Sequence, residues 1–331
     1  MTFRKTVNTK SIYDNVFGNN STFYKLIPHK DIRRLSSRIK KVEKNFSLKN
    51  KKILIAGGSG RSALAFLKYN PKSVVYIDLV PKNIFRIKSI NKNVKCINSD
   101  MDNIKKFYSQ NYFDVIYLEG IFQHLNNPEK TFLKLYNVLK NEGYFYLDFY
   151  RSGIIYSLLT ELARKKISFG DFKKYKLFLE KNKLNKKKIS YSSSNLSERL
   201  YDDLFVPNIR FYDAKKTRKS FLKSKMKIAY FDNFKKISQR FDSYTVFHSI
   251  IKKRGSIKNI KIKDENNEKI FKKFPKYQKF IKDFTKLKFQ KKNELFKVIT
   301  KMFLLYSQWY HVKNPDNTIK ILNNFIKKCL K

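Results

Sequence analysis

Ile53-Leu54-Ile55-Ala56-Gly57-Gly58-Ser59-Gly60-Arg61-Ser62-Ala63 joins a short apolar run to a helical pattern through a cluster of glycines. A turn of this kind needs residues that accept positive φ, and glycine does so without the steric cost of a Cβ. It also lets a ligand approach main-chain N–H groups at a helix start, where the backbone dipole favours anions. The run before it, Lys52 to Ala56, reads as a buried strand. Asp78 ends the next such run, where an acid accepts hydrogen bonds from a ribose diol. The pair points to an adenosine-containing ligand. Gly58-x-Gly60-x-x-Ala63 also satisfies the dinucleotide fingerprint, so the glycines alone leave a nicotinamide cofactor open.

Working outward, Val74 to Leu79, Val94 to Ile97, Phe113 to Leu118 and Tyr144 to Phe149 are further short β-branched or aromatic runs. Helical patterns fill the gaps at Ser62 to Lys68, Lys82 to Ser89, Met101 to Ser109 and Glu129 to Leu139. Strands alternating with helices predict an α/β fold, a parallel sheet with helices on both faces. Residues 1–45 read as an N-terminal helical segment or lid, with an amphipathic stretch at Asp31 to Phe46 whose Leu35, Ile39 and Val42 recur at helical spacing. Past Tyr150 the alternation lapses into a helix at Ile154 to Arg164, a basic stretch at Lys173 to Lys188, and Ser190 to Ser194; residues 151–203 are expected to be a helical insertion. A helix at Ala214 to Lys223 and strands at Lys227 to Phe231 and Ser243 to Ile251 would finish the sheet, closing a domain over 46–253. Residues 254–331 form a basic helical extension, with Phe271, Phe274, Phe280 and Phe284 on apolar faces.

The chain has 331 residues and a formal charge of +48, yet 42% are hydrophobic and 16% aromatic, enough to bury a core and to exclude a disordered polyelectrolyte. Two cysteines, Cys96 and Cys329, exclude a disulfide framework and a Cys-rich metal site. His29, His248 and His311 show no ligand spacing, so no metal is assigned. Nothing approaches the roughly 20 apolar residues of a spanning helix, and the basic N-terminus has no apolar stretch behind it; the expectation is a cytoplasmic protein. The charge invites RNA or peripheral contact with an anionic membrane. Codon usage in an AT-rich genome, which enriches Lys, Asn, Ile, Phe and Tyr together, explains it equally well. The sequence carries no signal for an oligomeric state.

Ser99-Asp100-Met101 follows the third strand, and Phe113-Asp114-Val115-Ile116-Tyr117-Leu118-Glu119-Gly120-Ile121-Phe122-Gln123-His124-Leu125 carries the fourth. With Pro128 soon after and Val138 to Gly143 before strand five, Lys52 to Phe149 resembles the class I, Rossmann-like S-adenosylmethionine-dependent methyltransferases. The resemblance implies that Ala56, Gly57, Gly58, Ser59 and Gly60 lie along the methionine and ribose parts of S-adenosylmethionine. It further implies that Asp78 binds the ribose hydroxyls, that Asp100 accepts from the adenine amino group, and that Leu79 and the Met101 backbone flank the ring. Glu119 and Gly120 would face the methionine end. The chain departs from the family pattern at Leu54, where an acid is usual, and at Ala56, where the first glycine is expected.

His124 sits where open α/β sheets bind ligands and is the candidate base for a substrate hydroxyl or amine; the competing reading is an anchor for the loop after strand four. Tyr201, Asp203, Arg210 and Tyr212 are candidate substrate contacts because this region often borders the pocket in the family. Tyr13 and Phe17 are candidates for a lid. The competing readings are a solvated loop on the sheet edge for the first group and a simple anchor for the second. The expected function is methyl transfer to an oxygen, nitrogen or carbon nucleophile of a small metabolite, lipid or saccharide, with the insertion capping the pocket. RNA as acceptor, a non-catalytic binding protein on the same fold and a nicotinamide-dependent oxidoreductase are the alternatives.

Overall fold

The computed structural model describes residues 29–58, 60–118, 120–187, 195–232, 246–309 and 315–330. They fall into two compact units. The first takes the described residues of 1–150, 214–233 and 246–263; the second takes those of 151–213 and 264–331.

The first unit is a seven-stranded sheet. In chain order it contains α1 (His29–Lys40), β1 (Lys52–Ala56), α2 (Arg61–Leu67), β2 (Ser73–Asp78), α3 (Pro81–Ile90), β3 (Val94–Asn98), β4 (Phe113–Leu118), α4 (Pro128–Val138) and β5 (Leu139–Tyr150). Residues 101–106, expected as a helix, form a 3₁₀ turn started by Asp100, whose side chain accepts from the Asp102 N–H. The alternation is then completed by α8 (Ala214–Lys223), β6 (Lys227–Phe231) and β7 (Val246–Lys252). Strand order is β3-β2-β1-β4-β5-β7-β6. The first five strands run parallel, but β7 is antiparallel to both neighbours, with Asp148 opposite His248 and Tyr146 opposite Ile250. The sheet is therefore mixed rather than wholly parallel.

β1, β2 and β4 bury nearly every side chain on both faces, which explains their unbroken apolar runs. α4 starts as its sequence dictates: Pro128 supplies the preset φ of the first turn, and the Asn127 side chain accepts from the Lys130 N–H. α1 buries Ile32, Leu35 and Ile39, but it ends at Lys40, so Val42 lies beyond the helix and is exposed. At the opposite end of the sheet from the glycine cluster, buried Lys253 donates to the carbonyls of Tyr136, Asn137 and Leu139 and to Asn111 Oδ1, satisfying acceptors left open where α4 ends.

The second unit is helical: α5 (Ile155–Lys166), α6 (Phe172–Lys181), α7 (Leu196–Phe205), α9 (Asn267–Phe271), α10 (Pro275–Lys286), α11 (Lys292–Trp309) and α12 (Pro315–Cys329). Its core joins segments distant in sequence. The Tyr175 hydroxyl meets Thr300 Oγ1 at 2.8 Å, Tyr156 packs on Phe303 and Tyr306, and Glu161 accepts from the Asn267 and Glu268 N–H groups at the start of α9. No helix of the described residues is long and apolar enough to cross a membrane.

Candidate functional site

The glycine cluster lies at the carboxyl end of β1, and Gly57, Gly58 and Gly60 have φ of 73°, 77° and 76°. Gly60 is the N-cap of α2, and a Cβ there would stand 2.5 Å from Ile87 Cγ1. At Gly57 a Cβ would stand 2.9 Å from Ile121 Cγ1 and 3.3 Å from Met101 Cε. The backbone path and the close packing both demand glycine here. Ala56 is fully buried beneath the turn.

Asp78, at the end of β2, is 7% exposed. Its Oδ1 accepts from the Val80 N–H at 2.7 Å, while Oδ2 accepts from the Tyr76 hydroxyl at 2.6 Å and from Asn83 Nδ2 at 3.4 Å. These donors are all neutral, so burial outweighs them and pushes the carboxyl up to about 6. The N-cap of α3 is Val80, without a side-chain cap, so Asp78 closes a turn before the helix and does not itself cap it. Asp100 uses Oδ1 for the Asp102 N–H, and burial raises its carboxyl as well. Met101 is buried and Leu79 half-buried beside these acids. After β4, Gly120 has φ 68°, its N–H donates to Asp148 Oδ1 at 2.7 Å, and a Cβ built on it meets nothing within 4 Å.

The fold thus brings together Ala56, Gly57, Gly58, Gly60, Asp78, Leu79, Asp100, Met101 and Gly120. Asp100, Asp78, the glycine turn and Gly120 follow strands β3, β2, β1 and β4, which are neighbours in that order. Three strand spacings span about 14 Å, the reach of an extended nucleoside with an amino-acid arm. Two carboxylates for adenine and ribose, a Cβ-free turn and open space over Gly120 fit S-adenosylmethionine. Ser59 and Glu119 lie outside the described residues, as do Tyr13 and Phe17.

His124 is 8% exposed, its N–H donates to the Ile121 carbonyl, and its ring lies edge-on to Tyr150 at 5.7 Å. These contacts anchor the turn after β4. Phe122, also buried, packs on Phe149.

The other substrate candidates belong to the second unit, and most are in its packing rather than in solvent. Tyr201 packs edge-on to Phe172, and burial drives its phenol far up. Asp203 is fully buried, with Oδ2 2.8 Å from Arg199 Nε, which overturns its reading as a solvated acid. Tyr212 is fully buried and bridges the strand-like backbones of Arg151 and Asp264. Arg210 Nε stands 3.9 Å from Asp264 Oδ2 and remains partly exposed.

Three residues that the sequence reading missed hold the first unit's site in place. Tyr76 was legible, since a period of two puts it on the same face as Asp78. Asp148 is the lone acid in the aromatic run Tyr144 to Tyr150, which was a signal. Asn83, on a helix distant in sequence from the turn, had none. Among the described residues no group of His, Cys, Asp and Glu is arranged to hold a metal ion.

Residues 53–147 match a family model described as a methyltransferase domain. No curated protein matches the sequence. Among solved structures, the Burkholderia thailandensis 1,6-didemethyltoxoflavin-N1-methyltransferase, with S-adenosylhomocysteine bound, is 11% identical; the match covers 77% of this chain and 90% of that one, with a TM-score of 0.46. A Mesorhizobium loti S-adenosylmethionine-dependent methyltransferase is 13% identical over 63% and 93% of the two chains, with a TM-score of 0.41. One from Aquifex aeolicus is 16% identical over 68% and 98%, with a TM-score of 0.37.

Proposed function

We propose that the protein, whose residues 53–147 match a methyltransferase domain, transfers the methyl group of S-adenosylmethionine to an oxygen, nitrogen or carbon nucleophile of a small molecule. The carrying observation is the row formed by Asp100, Asp78, the glycine turn and Gly120 across four adjacent strands. Bound there, S-adenosylmethionine supplies an electrophilic methyl on a sulfonium. The chain's part is to hold and align: Asp78 takes ribose hydroxyls, Asp100 the adenine amino group, and the glycine turn admits the ligand to main-chain N–H groups. In-line alignment of the acceptor supplies most of the acceleration such a transfer needs. His124, in the turn after β4, is our candidate for the group that takes a proton from the acceptor, and its packing on Tyr150 also anchors that turn.

A compact acceptor is supported by the turn after β4, which is packed with Phe122, Gln123 and His124 and carries no lysine. The test is thermal unfolding with S-adenosylmethionine, S-adenosylhomocysteine or NADH, for the wild type and Asp78→Ala. A ligand at 100 times its Kd adds about 2.7 kcal/mol to native stability. The first two ligands are expected to raise the midpoint in the wild type only. Stabilisation by NADH alone would sink the reading. Transfer of labelled methyl to RNA in preference to extracted small molecules would replace the acceptor class.

A further inference from the structure

We propose that Tyr76 and Asn83 are positioning residues for the cofactor: they tie the Gly58 carbonyl to the Asp78 carboxylate and set the nucleoside cradle before the ligand arrives. The proposal rests on the cofactor reading above. Tyr76 is fully buried, and its hydroxyl lies 2.6 Å from Asp78 Oδ2 and 3.0 Å from the Gly58 carbonyl oxygen. A hydroxyl has one proton, so it serves the nearer carboxylate. Asn83 Nδ2 has two, and stands 3.4 Å from each of the same two acceptors. The Tyr76 ring also runs beneath the turn, its Cε1 being 3.1 Å from where a Cβ on Gly60 would stand. One strand residue and one helix residue therefore grip both the turn and the acid.

The grip matters because of what it holds. Gly57 and Gly58 are adjacent, both at positive φ, and glycine pairs lose more conformational freedom on ordering than any other residues. A turn left loose would lose that freedom on binding, and affinity would fall accordingly; a turn ordered by Tyr76 and Asn83 has lost it already on folding. A phenylalanine would fill the same volume on β2. The hydroxyl adds to that volume the proton it gives to the Asp78 carboxylate, beside the Gly58 carbonyl that Asn83 reaches.

A double-mutant cycle separates this role from ordinary packing. Affinity for S-adenosylhomocysteine is measured by calorimetry in the wild type, Tyr76→Phe, Asp78→Ala and the double variant, with unligated melting curves alongside. Tyr76→Phe is expected to weaken binding about tenfold and Asp78→Ala more, with the double variant within about twofold of Asp78→Ala. Asn83→Ala, which leaves the sheet untouched, should weaken binding severalfold and serves if Tyr76→Phe does not fold. Wild-type affinity in the folded Tyr76→Phe or Asn83→Ala variant would overturn the proposal, as would losses that multiply in the double variant. A wild type that binds no S-adenosylhomocysteine would instead bring down the cofactor reading beneath it.

Discussion

Asp78 at the end of β2 and Asp203 on α7 are both carboxylates that folding has taken out of water, and they are treated in opposite ways. Asp203 is paired with Arg199 at 2.8 Å, and its own carbonyl accepts from Arg164. Among the described residues, Asp78 has only a phenol, an amide and a backbone N–H. A buried charge matched by a guanidinium is settled within the fold, whereas one held by neutral donors stays unfavourable, the condition often met in acids that await a ligand. Burial alone does not separate the two acids; the presence or absence of a countercharge among their described partners does.

The comparison can be broken most directly at Asp203. Asp203→Ala takes the carboxylate from the half-buried Arg199, which keeps the Tyr156 hydroxyl, and the expected loss is about 3 kcal/mol of stability, read by denaturant unfolding. An equal loss in Asp78→Asn would erase the distinction. Asp78→Asn should instead cost nucleoside affinity, on the order of 100-fold for S-adenosylhomocysteine by calorimetry, because hydrogen bonds to a charged acceptor are the strong ones. Gly60→Ala tests the turn rather than the acid: a non-glycine residue at φ 76° with Ile87 in its way should lose about 2 kcal/mol, seen as a lower melting midpoint.

The smallest effect sharpens the contrast through pH. With its carboxyl raised to about 6, Asp78 is ionised at pH 7 and mostly protonated at pH 5, so affinity should fall about tenfold over that range. For the unligated protein the sign is the reverse. A raised carboxyl contributes stability that is complete below its ordinary range near 4 and is lost as pH rises through about 6. The stability of the wild type relative to Asp78→Asn should therefore decline from pH 4 to pH 7, and a flat difference would show that Asp78 is not buried as described.

Much of the first unit was legible in the chain. β1, β4 and β6 match their apolar runs, and α8 matches its helical pattern from Ala214 to Lys223. The glycine turn and Asp78 were legible because their chemistry is local: positive φ and an acid at a strand end are properties of a few consecutive residues. Val42 shows the limit of periodicity, which continued the α1 stripe past the point where the helix stops. Asp203 shows another. Its sequence neighbourhood, Tyr201 to Tyr212, reads as polar loop, but it begins on a helix whose acid meets an arginine one turn earlier.

The sequence alone determined the alternation of strands and helices, the glycine turn after β1 and the acids that follow two of the strands, since each depends on short-range sterics and periodicity. Only the tertiary structure decided that β7 enters the sheet antiparallel, that Asp148 holds the Gly120 N–H, and that Tyr76 and Asn83 converge on Asp78 and the Gly58 carbonyl. Strand order and the meeting of side chains from separate elements are set by which faces bury together. That choice is made by the whole core at once, and no window of sequence contains it.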